Sequence, residues 1–224
     1  MKQPVGEPVD ATPALRPSAV ILRGRYGVVE KFDAARHASS LWEAVKDDSE
    51  TWTYMWFGPF AAREDFDRFA ELLGKREDPF AYAIVDSSGN ALGVATLMEI
   101  RSAHRVIEVG GIFYSKALRQ TPLATEAQYL LMRYAFEELR YRRYEWKCDS
   151  LNAPSRRAAE RFGFTFEGVF RQHMIVKGRT RDTAWFAVTD AAWPDVKRAF
   201  EAWLMPDNFD VQGRQKRKLE EFRI

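Results

Sequence analysis

The residues best suited to chemistry begin at Arg119. The run Arg119-Gln120-Thr121-Pro122-Leu123-Ala124-Thr125-Glu126-Ala127 opens a long helical stretch. A helix start gathers amide N–H groups and the positive end of the helix dipole at one point, which attracts phosphate, and Arg119 adds charge there. An ordinary helix capped by Thr121 offers the same amides, so the run alone decides nothing. Glu108 lies in an alternating stretch that puts it on one parity with Gly110 and Ile112. A carboxylate so placed could take a proton directly or through water; its structural alternative is an ion pair with a cation such as Arg105. The adjacent Gly110 and Gly111 allow either the close approach of another backbone or a β-bulge. Asn152 and Ser155 stand at the start of a short helix, where both could serve its terminus. His173 is a second candidate base, since histidine is the side chain whose ordinary chemistry suits proton transfer near neutrality, although a lone strand histidine more often serves structure. Cys148 alternates with Tyr144 and Trp146 on an inner face and reads as a small core residue rather than a nucleophile.

Composition narrows the partners. Of 224 residues, 34 are Lys or Arg and 32 Asp or Glu, a net +2 spread along the chain. Such a balance supplies no long-range field for a nucleic acid or an anionic membrane. One cysteine excludes an intrachain disulfide framework, and three dispersed histidines give no metal-ligand spacing, so no metal is expected. No apolar run approaches the roughly 18 residues of a membrane span, which makes a cytoplasmic protein the expectation.

The elements that must position these residues follow from periodicity. Residues 1–18 carry Pro4, Pro8, Pro13 and Pro17 without an apolar leader, and read as a mobile, extended arm. The pattern then predicts a strand and turn over 19–31, helices over 34–47 and 62–73, and strands over 80–86, 91–100 and 106–115. A long helix from 122, a strand over 144–149, a helix from 152 to 162 and a hairpin of strands 164–176 and 183–189 complete one domain, 19–190. Seven strands result. Residues 191–224 hold a helix over 193–204 and a solvated, mixed-charge tail, in which Lys216, Arg217 and Lys218 precede Glu220 and Glu221.

This order of elements, together with Ile107-Glu108-Val109-Gly110, Ala124-Thr125-Glu126-Ala127, the Asn152/Ser155 spacing and Arg161-Phe162-Gly163-Phe164-x-x-Glu167-Gly168, resembles the GNAT superfamily of acetyl-CoA-dependent N-acetyltransferases, in its RimJ/RimL-like branch. The resemblance covers residues 19–190. It implies an α/β (α+β) domain with a central mixed, mostly antiparallel twisted sheet flanked by helices, its fourth and fifth strands (106–115 and 144–149) splayed into a slot. It also implies acetyl-CoA as cofactor. The pyrophosphate would lie on the backbone of Gln120, Thr121, Leu123, Ala124 and Thr125 with Arg119, and Pro122 stands where the family has glycine, removing one N–H donor. Pantetheine would lie along Ile112, Phe113 and Tyr114 as an added strand. Glu108 would serve as base, an amide within 109–112 as oxyanion donor, Ser155 as proton donor to the thiolate, and Asn152 as a cofactor contact.

The acceptor implied is a primary amine, on a protein N-terminus or a small molecule. It would enter past Thr51-Trp52-Thr53-Tyr54-Met55-Trp56-Phe57-Gly58-Pro59-Phe60, whose five aromatics suit an apolar or cationic group. Tyr54 and Trp56, with His173 from the last hairpin, are the substrate-facing candidates; the other aromatics read as anchors to the core. The chain's seven tryptophans and sixteen phenylalanines leave apolar surface enough for a homodimer contact. The competing expectation is a non-catalytic acyl-CoA-binding or regulatory module, to which Pro122 points.

Overall fold

In a computed structural model, residues 3–223 are described, and eight strands form one sheet in the order β1-β2-β3-β4-β5-β6-β8-β7. The strands are β1 (Ile21–Arg23), β2 (Val28–Lys31), β3 (Phe80–Val85), β4 (Ala91–Arg101), β5 (Val106–Tyr114), β6 (Arg143–Asp149), β7 (Thr165–Val176) and β8 (Arg179–Thr189). All neighbours are antiparallel except β5 and β6, which run parallel. The helices are α1 (Ala34–Val45), α2 (Arg63–Lys75), α3 (Pro122–Arg133), α4 (Ala153–Arg161) and α5 (Trp193–Trp203). Helix α3 runs on into a π-helical turn, Tyr134–Glu138. No described helix is long and apolar enough to cross a membrane.

The eighth strand arises because the stretch 19–31, expected as one strand and a turn, folds back on itself as two paired strands. Gly24 N donates to Gly27 O at 2.9 Å, and the buried Glu126 carboxylate on α3 accepts from Arg25 N and Tyr26 N at 2.7 and 2.8 Å. Any side chain at Gly24 would collide with that carboxylate, its Cβ falling 2.2 Å from the carboxyl carbon. A glycine and a buried acid 102 residues away thus divide the strand. The last hairpin is also tighter than its spacing suggests: β8 starts at Arg179, and the turn is Lys177-Gly178, both at positive φ.

Two layers cover the sheet. Helices α1 and α2 close one face over Phe32, Leu41, Phe66, Leu73, Ala83 and Val94. Helices α3, α4 and α5 close the other over Ile84, Leu97, Val109, Leu130, Trp146 and Phe200. The termini depart from expectation. Ala14 is buried and donates to Ser102 O, Leu15 N donates to Leu139 O, and Tyr82 Oη donates to Ser18 O, so the end of the arm is docked. The tail expected to be solvated packs on α5 and α4. Leu219 is 1% exposed, Trp203 Nε1 donates to Gln215 Oε1 at 2.8 Å, and Arg223 Nη1 donates to Glu160 O at 2.9 Å. Three apolar residues within a charged segment, Phe209, Leu219 and Phe222, pack on the core and seat it.

Candidate active site

The site is built on a fork in the sheet. Strands β5 and β6 pair in parallel from Val106↔Arg143 to Val109↔Trp146, and among the described residues no pairing continues beyond that rung. Both strands extend further, to Tyr114 and Asp149, so their ends diverge. On its other edge β5 stays paired with β4, but Val94↔Phe113 and Thr96↔Gly110 leave Gly111 and Ile112 facing Ala95 alone. This is a bulge, with Gly111 at φ +55, and it corrects the expected parity. Glu108 and Gly110 share the α1/α2 face, whereas Ile112 and Tyr114 turn to the α3 face and Phe113 packs against Trp52 and Phe57. A side chain at Gly111 would need a strained backbone, and its Cβ would lie 3.2 Å from Thr96 Oγ1 and 3.6 Å from the Trp56 ring.

Glu108 sits one residue before the last rung and is 6% exposed. Its partner is not Arg105, which bonds to Arg140 O and Asp10, but Lys147, whose Nζ is 2.8 Å from Oε2. Burial pushes the Glu108 carboxyl up to about 7 against the opposing pull of Lys147, with Glu145 and Glu99 adding to the rise. The group is therefore a carboxylate poised to exchange a proton near neutrality.

Ser155 lies across the sheet, in the first turn of α4. Asn152 caps that helix, accepting from Ser155 N at 3.1 Å, so the serine hydroxyl is released from capping. It accepts instead from Trp146 Nε1 at 2.9 Å, which leaves its own proton to be donated. Cys148 is beside it, and burial raises the thiol above its ordinary range. Trp146 is on the last rung of the fork, so the two hydrogen-bonding groups, Glu108 and Ser155, flank the point of divergence from opposite faces.

The loop before α3 is more occupied than its sequence suggests. Thr121 caps the helix, its Oγ1 accepting from Ala124 N at 3.2 Å and donating to Leu118 O at 2.7 Å. Thr121 N donates to Leu118 O at 3.3 Å and Thr125 N to Thr121 O at 3.4 Å. Gln120 is at φ +61, and Leu123 follows the N–H-less Pro122. Arg119 does not stand free. Its Nη2 contacts Asp48 Oδ2 at 2.6 Å and Thr51 Oγ1, and its Nε donates to Tyr114 O at 2.9 Å. Asp48 is 4% exposed and comes from the connection between α1 and α2. Its involvement was invisible in sequence, since no local pattern joins it to Arg119.

Of the expected substrate-facing residues, Trp56 is 45% exposed over Gly111 at the fork. Tyr54 donates from its hydroxyl to Leu151 O at 3.2 Å, joining the aromatic loop to the β6–α4 turn. His173 bonds through Nδ1 to Thr183 Oγ1 at 2.9 Å and lies 6.0 Å from the Trp185 ring. Trp185 in turn lies under the Lys147 ammonium at 4.1 Å, so His173 is on the face of Glu108 but linked to it through two other side chains. Trp52 and Phe60 anchor the loop in the core. Among the described residues no group of three or more His, Cys, Asp or Glu is placed to hold a metal ion.

The profile of a family described as "Acetyltransferase (GNAT) domain" matches residues 29–165. The chain belongs to the GNAT acetyltransferase family. Among solved structures it is similar to a GCN5-related N-acetyltransferase from Brucella melitensis, with 48% identity, 96% of this chain and 98% of that one covered, and a TM-score of 0.93. Among curated proteins it is similar to Probable N-acetyltransferase YjcK of Bacillus subtilis (strain 168), 29% identical over 54% of this chain and spanning 66% of that relative's length. At 20% identity, with 77% of this chain and 99% of the other covered and a TM-score of 0.65, it shares its fold with RimL, the ribosomal L7/L12 alpha-N-protein acetyltransferase, solved with coenzyme A. The matched GNAT segment runs from β2 to the start of β7 and includes Glu108, the α3 loop, Asn152 and Ser155.

Proposed function

We propose that the chain transfers an acetyl group from acetyl-CoA to a primary amine, on a protein N-terminus or a small molecule, by direct attack in a ternary complex. The observation that carries this reading is the fork, with a carboxyl near neutrality on one face and a hydroxyl free to donate on the other. Acetyl-CoA, when bound, supplies an activated acetyl thioester. Residues of this chain fit it. The β5 edge from Gly110 to Tyr114 has no β6 partner to block an extended chain there. The amides of Thr121, Ala124 and Thr125 are held by bonds of 3.2–3.4 Å that stronger anionic acceptors can replace. Arg119 is bonded to the end of β5, at Tyr114 O, and Asn152 to the end of β6, at Asp149 O. Glu108 takes the proton of the incoming ammonium, which must be neutral to attack, and Ser155, polarised by Trp146, donates toward the leaving thiolate. Direct attack is favoured over a covalent enzyme form because the lone cysteine is buried with a raised pKa. The RimL likeness, one of fold, agrees with a protein N-terminus as acceptor without choosing it over a small amine.

A second reading, a non-catalytic acyl-CoA-binding module, draws on Pro122 and on the engagement of Arg119 by Asp48. Titration with CoA and acetyl-CoA, followed by thiol release across a panel of N-terminal peptides, polyamines and amino-acid derivatives, separates the two. Thiol release with any member of the panel supports transfer. Binding without release favours the module, and absence of binding removes both readings.

A further inference from the structure

We propose that Lys147 is a positioning residue that reaches across the fork and holds the Glu108 carboxylate toward the acceptor face. The proposal rests on the reading of Glu108 as base. Glu108 is the residue before the last β5–β6 rung and Lys147 the residue after it, so their side chains meet on one face where the strands part. The contact is 2.8 Å, and both side chains are nearly out of solvent, at 7% and 11% exposure.

The lysine is itself fixed from three sides. Besides Glu108, its Nζ is 3.2 Å from Glu145 Oε2 and 4.1 Å from the centre of the Trp185 ring. Glu145 has other cations: Arg143 Nε at 2.7 Å and Arg101. Although burial raises its carboxyl, Arg143, Lys147 and Arg101 outweigh it and hold Glu145 below its ordinary range. Lys147 thus serves both carboxylates, but Glu145 has two arginines besides, whereas Lys147 is the cation paired with Glu108. A lysine pinned by a ring and a second carboxylate has little rotamer freedom, so it presents a fixed charge rather than a wandering one.

The consequence for the base follows from opposing effects. The groups facing Glu108 are Lys147 and Glu145 on β6 and Glu99 on β4, and only Lys147 favours the charged form. Without it, burial and two like charges remain, and Glu108 would stay protonated through neutral pH, unable to accept a proton. An opposite charge at this distance moves a carboxyl by about one to three pH units.

The test uses the full chain with glutamate side-chain carboxyls labelled with carbon-13, the Glu108 resonance being assigned by its absence from E108Q. Lys147→Met, or Lys147→Gln if the methionine variant does not fold, is expected to raise the Glu108 titration midpoint by about one pH unit or more. Lys147→Arg should keep it near the wild-type value. In thiol-release assays with acetyl-CoA and the best acceptor of the panel, Lys147→Met should lose about tenfold or more at pH 7, recover at pH 9, and leave the Kd for CoA unchanged. An unchanged Glu108 midpoint in Lys147→Met overturns the proposal whether or not the protein turns over. A displaced midpoint beside an E108Q enzyme that keeps the wild-type pH profile overturns it differently, by removing Glu108 as base while the coupling stands.

Discussion

Ser155 illustrates how one hydrogen bond decides between two roles. A serine in the first turn of a helix ordinarily serves the helix end, but here Asn152 does so and the serine hydroxyl accepts from the Trp146 indole. Ser155→Ala should therefore lower kcat by about tenfold or more, the size of a lost proton donor, with little change in the Kd for CoA. Unchanged turnover with intact CoA binding would assign the hydroxyl to Trp146 alone. Trp56→Ala should raise KM for the acceptor, since the ring is exposed over Gly111, whereas the hydroxyl of Tyr54 is engaged with Leu151 O and its loss should affect the loop. Equal, wild-type parameters for both variants would remove this loop from the acceptor site. Glu108, Asn152 and Ser155 stand out in the sequence as candidates because they fall in short local motifs. Lys147 does not. It alternates with Trp146 and Cys148 on the opposite face of its strand, and its significance appears only when β5 is laid beside β6. The engagement of Arg119 by Asp48, 71 residues away, was hidden for the same reason.

The strands show which elements local pattern can define and which need a distant partner. Periodicity located α1 to α5 and the strands β3 to β8 to within a few residues, because most of them bury a continuous face; β7, exposed along nearly its whole length, is held instead by its pairing with β8. Periodicity merged β1 with β2, since the turn between them is held by Glu126 on α3. It also ran β5 straight through Gly111, where a bulge reverses the parity of Ile112 relative to Glu108. That bulge is what lets β5 leave β6 while remaining on β4. Gly111→Ala tests it. The residue is at φ +55 with Thr96 Oγ1 3.2 Å from the added Cβ, so a cost of about 1 kcal/mol or more is expected, seen as a Tm loss of roughly 2–4 °C. CoA affinity should fall as well, because the β5 edge would shift. A variant with wild-type Tm and CoA affinity would mean that the bulge tolerates a side chain and does not define the slot.

Across the molecule, a net charge of +2 leaves the binding of an anionic cofactor to local groups, and the fold supplies these where sheet and helix starts converge. The termini complete the body that holds the fork rather than trailing from it. Leu219 is buried against the layer that carries α4, and Arg223 donates to the last carbonyls of α4. Removing residues 205–224 should lower Tm by about 5 °C or more, from the loss of at least one buried leucine and several hydrogen bonds. A truncated chain with unchanged Tm would show that the tail contributes nothing to the core. The account as a whole turns on Glu108, whose burial at the fork moves its carboxyl up to about 7. Acting as base it must be ionised, so activity should fall as pH drops through that value. The deciding measurement is the pH dependence of acetyl-CoA thiol release by wild type and E108Q with the best acceptor of the amine panel. The expected result is a loss of about 10²-fold or more in E108Q, greatest above pH 7 but below the acceptor's own pKa, where Glu108 is ionised and free amine is scarce, and shrinking at lower pH as the wild-type carboxyl takes up its proton. Wild-type rate and wild-type pH dependence in E108Q would contradict it.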